Sequence, residues 1–298
     1  MSPVVWLSNA GLGAVLNAGF RVGYTPQTMR RNFRWICKVP PTWLQRRFPN
    51  LASETRTIDS VECEAIFPKG GYNQTLIYLH GGGYFMGSSA EYRPFAARIA
   101  SSTGVRVLLV NYRLAPEHPH PAPLEDAIKV YKKLIDQVFD HKFILGGDSA
   151  GGGLALSLLL ALRDQKVPLP RKAFCVSPWT DRSGSCASID ANETKDVWLS
   201  RRHIDAWAPW SLAGQNARDP YISPLFGKYD GIPPSLIFVG DQEVLFDEAR
   251  LVVDKAKSEN VDAELIVGRF MQHDWFISLP FLTESRSAYR KLVEFIRE

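Results

Sequence analysis

Acidic residues are missing from the first part of the chain. Residues 1–53 contain no aspartate or glutamate, although they carry seven basic residues: Arg21, Arg30, Arg31, Arg34, Lys38, Arg46 and Arg47. A basic segment without acids fits a transit peptide or a membrane-surface segment. However, apolar residues recur at helical intervals, with Met29, Phe33 and Cys37 on one stripe, and this pattern favours amphipathic helices with solvated arginines.

The chain also lacks a long apolar run without polar interruptions. Residues 1–20 carry no charge, but Asn9, Asn17 and three glycines interrupt them, and no basic residue precedes the apolar part. A signal peptide needs a basic start, and a transmembrane helix needs about 20 predominantly apolar residues. We therefore expect no stable insertion into a membrane.

Cysteine is scarce, and its spacing excludes two common uses. Cys37, Cys63, Cys175 and Cys186 form no C-x-x-C pair, so neither a zinc site nor a redox motif is indicated. We expect reduced thiols and a cytoplasmic location. The formal charge of +4 over 298 residues is too small to indicate a nucleic-acid-binding surface.

Metal-binding patterns are missing as well. His118 and His120 lie close together in residues 112–123, but no Cys, Asp or His partner follows at ligand spacing on a regular element. Four prolines in this segment fit a rigid loop. We therefore expect no metal site.

Strands alternate with helices along most of the chain, which predicts an α/β fold with a mostly parallel sheet flanked by helices. The strand-like segments are residues 57–67, 75–79, 105–111, 143–145, 173–177, 235–239 and 261–267. The helical segments between and after them are residues 90–102, 124–139, 154–162, 245–258 and the chain from residue 283 onward. A chain of this length often forms one α/β domain, so we expect a single core with a cap.

One short motif predicts a reactive serine. The pattern G-x-S-x-G surrounds Ser149 between an apolar strand and an apolar helix. Glycines two residues before and after the serine allow the strained turn of a nucleophile elbow. The first free amides of the following helix, including the Ala150 N–H, favour negative charge on a substrate oxygen. A glycine-rich turn with an incidental serine is the alternative interpretation.

A glycine loop lies upstream of this motif. The strand-like residues 75–79 run directly into His80-Gly81-Gly82-Gly83, whose amides could donate to an oxyanion. Glycine triplets also occur in phosphate-binding turns. Here, however, no G-K-[ST] follows, and no G-x-G-x-x-G opens a helix.

With both motifs, the chain resembles the hormone-sensitive-lipase-like branch of the α/β-hydrolases. Its HGGG and GDSAG motifs match residues 80–83 and 147–151, and its YRLAPE motif matches residues 112–117. Matches continue through Asp219-Pro220, Ser223-Pro224-Leu225 and a histidine loop at His273. The resemblance implies an α/β-hydrolase fold in which residues 1–50 form part of a helical cap. Residues 181–225 lose the strand pattern and are rich in polar helical sequence, which indicates a second, inserted cap segment. The resemblance also implies a structural role for Glu117.

Aromatic residues are concentrated around the expected cap. Trp198, Trp207 and Trp210 fall in residues 181–225, and an aromatic-rich insertion over a reactive serine would line an apolar acyl pocket. We expect Tyr84, Trp179 and Trp207 to line the substrate pocket. Tryptophans that only pack the cap against the core are the alternative.

A serine nucleophile needs a base and a carboxylate that orients the base, in the chain order Ser, acid, His. Only His203 and His273 lie well beyond Ser149, and His203 falls in the expected cap, so His273 is the predicted base.

Two carboxylates compete for the role of the acid. Asp241 and Glu243 both follow the strand-like residues 235–239, and aspartate is the commoner choice in this fold. The family pattern, acid-x-Leu-x-Asp, anchored on Leu245 and Asp247, instead assigns the acid to Glu243. We expect Glu243 to be the acid and Asp241 to cap backbone amides in the preceding turn.

These residues predict a serine carboxylesterase that hydrolyses small esters of short to medium acyl length without a cofactor or metal. His273 would deprotonate Ser149, and the amides of Gly81, Gly82 and Ala150 would hold the oxyanion. A non-catalytic small-molecule receptor is one alternative, and an amidase or peptidase with the same triad is another.

The resemblance also implies a homodimer that pairs through the last strand. Residues 261–267 are expected to form that strand, and an edge strand exposes unpaired backbone groups. Asp262 and Glu264 could equally guard the edge of a monomer.

Overall fold

A computed structural model describes residues 25–137 and 142–298. Its strands are β1 Leu51–Ile58, β2 Val61–Pro68, β3 Gln74–Leu79, β4 Arg106–Val110, β5 Lys142–Asp148, β6 Lys172–Val176, β7 Ser235–Gly240 and β8 Ala263–Gly268. Its helices are α1 Pro26–Cys37, α2 Pro41–Arg47, α3 Ser89–Thr103, α4 Ala122–Gln137, α5 Ser149–Asp164, α6 Ser188–Ala191, α7 Arg201–Leu212, α8 Phe246–Ser258, α9 Trp275–Ser278 and α10 Thr283–Arg297. A 3₁₀-helix spans Pro224–Phe226.

The strands form one sheet in the order β1-β2-β4-β3-β5-β6-β7-β8. The β1–β2 and β2–β4 pairs are antiparallel, whereas the pairs from β4–β3 through β7–β8 are parallel. The prediction of a mostly parallel sheet is therefore confirmed. Because the parallel strands share one direction, their carboxyl ends meet at one edge of the sheet, where ligands bind in open α/β folds.

The first strand-like segment of the sequence is in fact a hairpin. Residues 57–67 belong to two antiparallel strands, β1 and β2, which the Asp59-Ser60 turn connects. Both turn residues have positive φ, 44° and 71°, as a two-residue hairpin connection of the primed type requires. The hairpin extends the parallel sheet on one side.

Apolar side chains cover both faces of the sheet. On one face, residues of α4, α5 and α8 join a large buried cluster with the strands. On the other, α3, α9 and α10 pack around buried residues that include Phe95, Phe238 and Trp275. Burial of apolar surface on both faces explains why the central strands read as continuous apolar runs.

Helix α5 lies at the centre of the first face. Its residues from Ser149 to Leu162 are all buried, and the uniformly apolar residues 154–162 are typical of a helix without a solvent-exposed face. The predicted helix at residues 124–139 corresponds to α4, but its last two residues lie outside the described part of the chain.

Two helical regions fall within the segments that are expected to form the cap. Residues 25–50 contain α1 and α2, and residues 1–24 lie outside the described residues. The insertion, residues 181–225, contains α6 and α7. Trp43 packs against Phe48 with ring centroids 5.8 Å apart, but Trp35 is 87% exposed and so covers nothing in the described structure. Within residues 25–137 and 142–298, no helix is long and apolar enough to span a bilayer.

Candidate active site

Ser149 lies on the sharp turn between β5 and α5. Its φ is +50°, a left-handed conformation that costs energy for any residue with a side chain and is found at functional sites. A Cβ atom on Gly147 would lie 2.3 Å from the Gly151 oxygen, and one on Gly151 would lie 2.0 Å from the Leu79 oxygen. Both glycines are therefore required by close backbone contacts, as the motif predicts.

The glycine loop follows β3, the neighbour of β5, and so runs beside Ser149. The Gly81 N–H is already committed, because it donates to Asp148 Oδ1 over 3.0 Å and to the Tyr92 hydroxyl over 3.1 Å. The expectation that Gly81 contributes a free amide therefore does not fit this geometry. In the described structure, the N–H groups of Gly82 and Gly83 make no hydrogen bond, and both residues line the cavity at Ser149.

Asp148 is bound by three donors. Tyr78 and Tyr92 donate their hydroxyls over 2.7 and 2.6 Å, and Gly81 donates its N–H. Burial raises the pKa of Asp148, although these hydrogen bonds oppose the rise. The residue before the nucleophile thus fixes the glycine loop to the serine turn.

The first residue of the glycine loop is held from the other side. The Tyr112 hydroxyl donates to the His80 carbonyl over 2.6 Å, and the Tyr112 ring stacks on the His80 ring at a centroid distance of 4.4 Å. Burial lowers the pKa of His80 to about 4, so its ring is neutral at ordinary pH.

Glu117 belongs to the same segment as Tyr112, and its carboxylate forms an ion pair of 2.6 Å with Arg30 of α1. Glu117 therefore connects this segment to α1.

Glu243 and His273 meet beyond the carboxyl ends of β7 and β8. His273 Nδ1 lies 2.9 Å from Glu243 Oε2, and both side chains are buried. Glu243 Oε1 accepts from the Ser177 hydroxyl over 2.8 Å and from the Gly240 N–H. Asp241 is directed elsewhere, since its Oδ1 accepts from the Phe270 N–H over 2.7 Å.

The insertion packs directly on the loop that carries Glu243. Asn192 donates its amide to the Glu243 carbonyl over 2.8 Å, and Asp196 accepts from the Val244 N–H over 2.9 Å. Burial raises the pKa of Asp196 to about 6, against the attraction of a charged His273. The insertion therefore supports the loop of the candidate acid.

Several carboxylates surround the His273 ring. Asp274 Oδ2 lies 3.4 Å from Nε2, on the side opposite to Glu243. Burial disfavours the charged ring, but the carboxylates of Asp274, Glu243 and Asp196 outweigh it and raise the pKa of His273 above its ordinary value. Burial also raises the pKa of Asp274 well above its ordinary value, and the neighbouring Asp148 adds to this effect.

Ser149 and His273 line the same cavity, which has a volume of about 250 Å³. In the described structure, no hydrogen bond joins the Ser149 hydroxyl to the His273 ring. Such contacts are often long in unliganded enzymes and shorten when substrate binds. The cavity is therefore the place where the serine, the histidine and an ester would come together.

Most of the cavity wall is apolar. Trp179 and Trp207 line it as expected, but Tyr84 does not. Tyr84 is instead buried outside the cavity, with the Arg182 guanidinium 3.7 Å above its ring. The other apolar side chains of the wall are Phe33, Met86, Pro94, Phe95, Trp198, Leu199, Ile204, Leu245 and Ile277.

Reasoning from the sequence assigned no role to Asp148, Ser177 or Asp274. Asp148 directly precedes the predicted nucleophile inside the GDSAG motif, and Asp274 directly follows the predicted base. Their positions next to predicted site residues could have indicated a role for both. For Ser177 the only signal is its position at the end of a strand, where site residues of parallel sheets lie.

Comparison with known proteins gives a consistent result over most of the chain. A family model described as the α/β-hydrolase fold matches residues 76–277. An acetyl-hydrolase of Streptomyces hygroscopicus is 36% identical over 257 residues, which cover 85% of this chain and 86% of that protein. An esterase of Acinetobacter venetianus is 29% identical over 286 residues, which cover 95% of this chain and 93% of that esterase.

Solved structures resemble the whole chain. The crystal structure of an esterase from the bacterial hormone-sensitive lipase family superposes with a TM-score of 0.89. It is 35% identical in sequence, and the match covers 100% of this chain and 98% of that one.

Proposed function

Because the chain belongs to the bacterial hormone-sensitive lipase family of α/β-hydrolases, we propose that Ser149, His273 and Glu243 make it a serine carboxylesterase. It is a carboxylic ester hydrolase, like the esterases and the acetyl-hydrolase that it resembles. The observation that carries the residue assignment is the buried contact of 2.9 Å between Glu243 and His273, at the cavity that also contains Ser149.

In the acylation step, neutral His273 takes the proton of Ser149 through Nε2 as the serine oxygen attacks the ester carbonyl. Glu243 holds Nδ1 and stabilises the imidazolium that forms. The imidazolium then gives its proton to the leaving alcohol. Water attacks the acyl-enzyme by the same route and releases the acid.

Backbone amides stabilise the oxyanion of the tetrahedral intermediate. We assign this role to Gly82, Gly83 and Ala150, and not to Gly81, because Gly81 donates to Asp148. Gly82 and Gly83 line the cavity, and Ala150 belongs to the first turn of α5, where N–H groups lack partners within the helix. Removing one such donor typically costs about 10²- to 10³-fold in kcat.

The cavity supports short to medium acyl chains as substrates. A volume of about 250 Å³ bounded by tryptophans leaves little room for a long chain. Related proteins include an ethyl acetate hydrolase of Pseudomonas putida, 27% identical over 75% of this chain. A non-catalytic receptor and an amidase are not favoured, since the relatives are named as esterases and acetyl-hydrolases.

Covalent labelling tests the assignment of the nucleophile. An aryl phosphonate should label one residue, Ser149, as peptide mass spectrometry would report, and should abolish turnover of p-nitrophenyl butyrate. Ser149→Ala should prevent labelling and reduce turnover to near background with an unchanged melting temperature, because a triad acts as a unit. Substantial turnover by the purified variant would refute the assignment.

We further propose one α/β-hydrolase domain with cap segments at about 1–50 and 181–225, a cytoplasmic location and a homodimer. The four cysteines are free, which suits a reducing compartment. Strand β8 lies at the edge of the sheet, where a second copy could pair.

A further inference from the structure

We propose that Ser177 is a positioning residue that holds the acid and the histidine loop of the site in one arrangement through its hydroxyl group. This inference rests on the proposed roles of Glu243 and His273. Ser177 directly follows β6, is fully buried, and does not line the cavity. Its hydroxyl donates to Glu243 Oε1 over 2.8 Å and accepts from the Asp274 N–H over 3.1 Å.

The first of these bonds acts on the acid. A glutamate has one more rotatable bond than an aspartate, so more conformational freedom must be removed to fix its carboxylate. Oε2 is directed to His273, and Oε1 is held by the Ser177 hydroxyl and the Gly240 N–H. Two donors from different segments thus set the plane of the carboxylate that faces the imidazole.

The second bond acts on the loop that carries the base. Asp274 follows His273 directly and has φ of +53°, a conformation that persists only where its surroundings hold it. Its buried N–H donates to Ser177, and without that acceptor it would be left unpaired inside the protein. Ser177 itself has φ of +46°, fixed partly by its N–H bond of 2.7 Å to the Phe238 carbonyl.

One hydroxyl therefore connects three segments that are distant in sequence. Since Ser177 does not line the cavity, its removal should leave substrate binding intact and disturb only the orientation of Glu243 and His273. We expect kcat to fall and KM to stay the same.

Ser177→Ala tests this inference against a matched control. Ser157 of α5 is also fully buried, but its hydroxyl has no hydrogen-bond partner in the described structure. With p-nitrophenyl butyrate, Ser177→Ala should lower kcat about ten- to a hundred-fold with KM unchanged, whereas Ser157→Ala should keep the kcat of the parent protein. A parent-like kcat in a folded Ser177→Ala protein would overturn the inference.

A variant with glycine separates the hydroxyl from the backbone. Glycine suits the positive φ of this position, so Ser177→Gly should fold even where the alanine variant is unstable. It should show the same loss of kcat, because it also lacks the hydroxyl. If Ser177→Gly kept full kcat, the hydroxyl would not be required for kcat, and the inference would be wrong.

A double-mutant cycle separates positioning from a general structural effect. Because part of the effect of Ser177 passes through Glu243, Ser177→Ala should cause a smaller loss of kcat in a Glu243→Gln background than in the parent protein. An equal loss in both backgrounds would overturn the inference. Failure of the phosphonate to label Ser149 would instead refute the proposed function, so the two failures are distinguishable.

Discussion

The N–H of Gly81 donates to Oδ1 of Asp148 over 3.0 Å, which joins the glycine loop to the residue before the nucleophile. Tyr92 takes part in the same arrangement, since its hydroxyl donates to Asp148 Oδ2 and accepts from Gly81. The amides proposed to bind the oxyanion follow Gly81 directly. Their positions therefore depend on hydrogen bonds made by Asp148 and Tyr92, which also line the cavity.

Tyr92→Phe should weaken this arrangement. It removes one donor to Asp148 and one acceptor for Gly81, so we expect kcat for p-nitrophenyl butyrate to fall about tenfold. Tyr131→Phe is the control, because the Tyr131 hydroxyl makes a part-buried bond of 2.9 Å to the Pro168 carbonyl and neither residue lines the cavity. Both variants should lose about 1 kcal/mol of stability in urea denaturation. Equal kcat values in the two variants would contradict the prediction.

Asp274 should shift the pH dependence of the reaction. His273 must be neutral to act as the base, and the carboxylates of Asp274, Glu243 and Asp196 raise its pKa. We therefore expect kcat/KM to keep rising with pH beyond the ordinary pKa of a histidine. Asp274→Asn removes a carboxyl group 3.4 Å from Nε2 whose ionised form raises the pKa of His273, so the acid limb should move to lower pH. Asp262→Asn, which removes a carboxylate at an exposed position, is the control. An unmoved or raised acid limb in Asp274→Asn would disprove this account.

Trp207 should limit the acyl length. It lines the cavity and packs against Phe85 with ring centroids 5.2 Å apart. Trp207→Ala should raise the ratio of octanoate to butyrate hydrolysis several-fold, because removal of the indole enlarges the cavity. Trp210→Ala is the matched control. The Trp210 ring also packs against Phe85, with ring centroids 4.9 Å apart, but Trp210 does not line the cavity. The same change of ratio in both variants would show that Trp207 does not set the limit.

The exposed edge of the sheet should support dimerisation. Light scattering should give about twice the chain mass of 33.4 kDa at micromolar concentration. Val267 of β8 is 45% exposed, and a lysine on an edge strand opposes pairing, so Val267→Lys should give a monomer. Trp35→Lys changes an exposed apolar residue of α1 and should leave the dimer intact. A monomeric parent protein would refute the prediction.

The sequence predicts those parts of the site that depend on local patterns. The turn at Ser149 requires glycines at fixed offsets, and the apolar helix after it follows from composition alone. The position of β8 at the sheet edge follows from the order of alternating elements.

Contacts between distant segments were not predictable in the same way. Gly81 and Asp148 lie 67 positions apart, and Ser177 and Glu243 lie 66 apart, so no local pattern encodes their hydrogen bonds. Tyr84 directly follows the glycine loop, yet it does not line the cavity. Its positive φ of 66° and its contact with Arg182 instead go with a side chain outside the cavity.

The choice between two nearby carboxylates gives the strictest test of the proposed triad. Glu243 Oε2 lies 2.9 Å from His273 Nδ1, whereas Asp241 Oδ1 accepts from the Phe270 N–H over 2.7 Å. Glu243→Gln should lower kcat by several orders of magnitude, since loss of the orienting carboxylate in serine proteases costs about 10⁴-fold.

Asp241→Asn should cost about tenfold or less, because an asparagine oxygen can still accept the Phe270 N–H. Both variants lose one charge within the same loop and keep the size of the side chain, so each controls for the other. Steady-state rates with p-nitrophenyl butyrate, measured on protein of confirmed melting temperature, decide between them. If Asp241→Asn were inactive and Glu243→Gln active, Glu243 could not be the acid, and the contact of 2.9 Å would have to be structural.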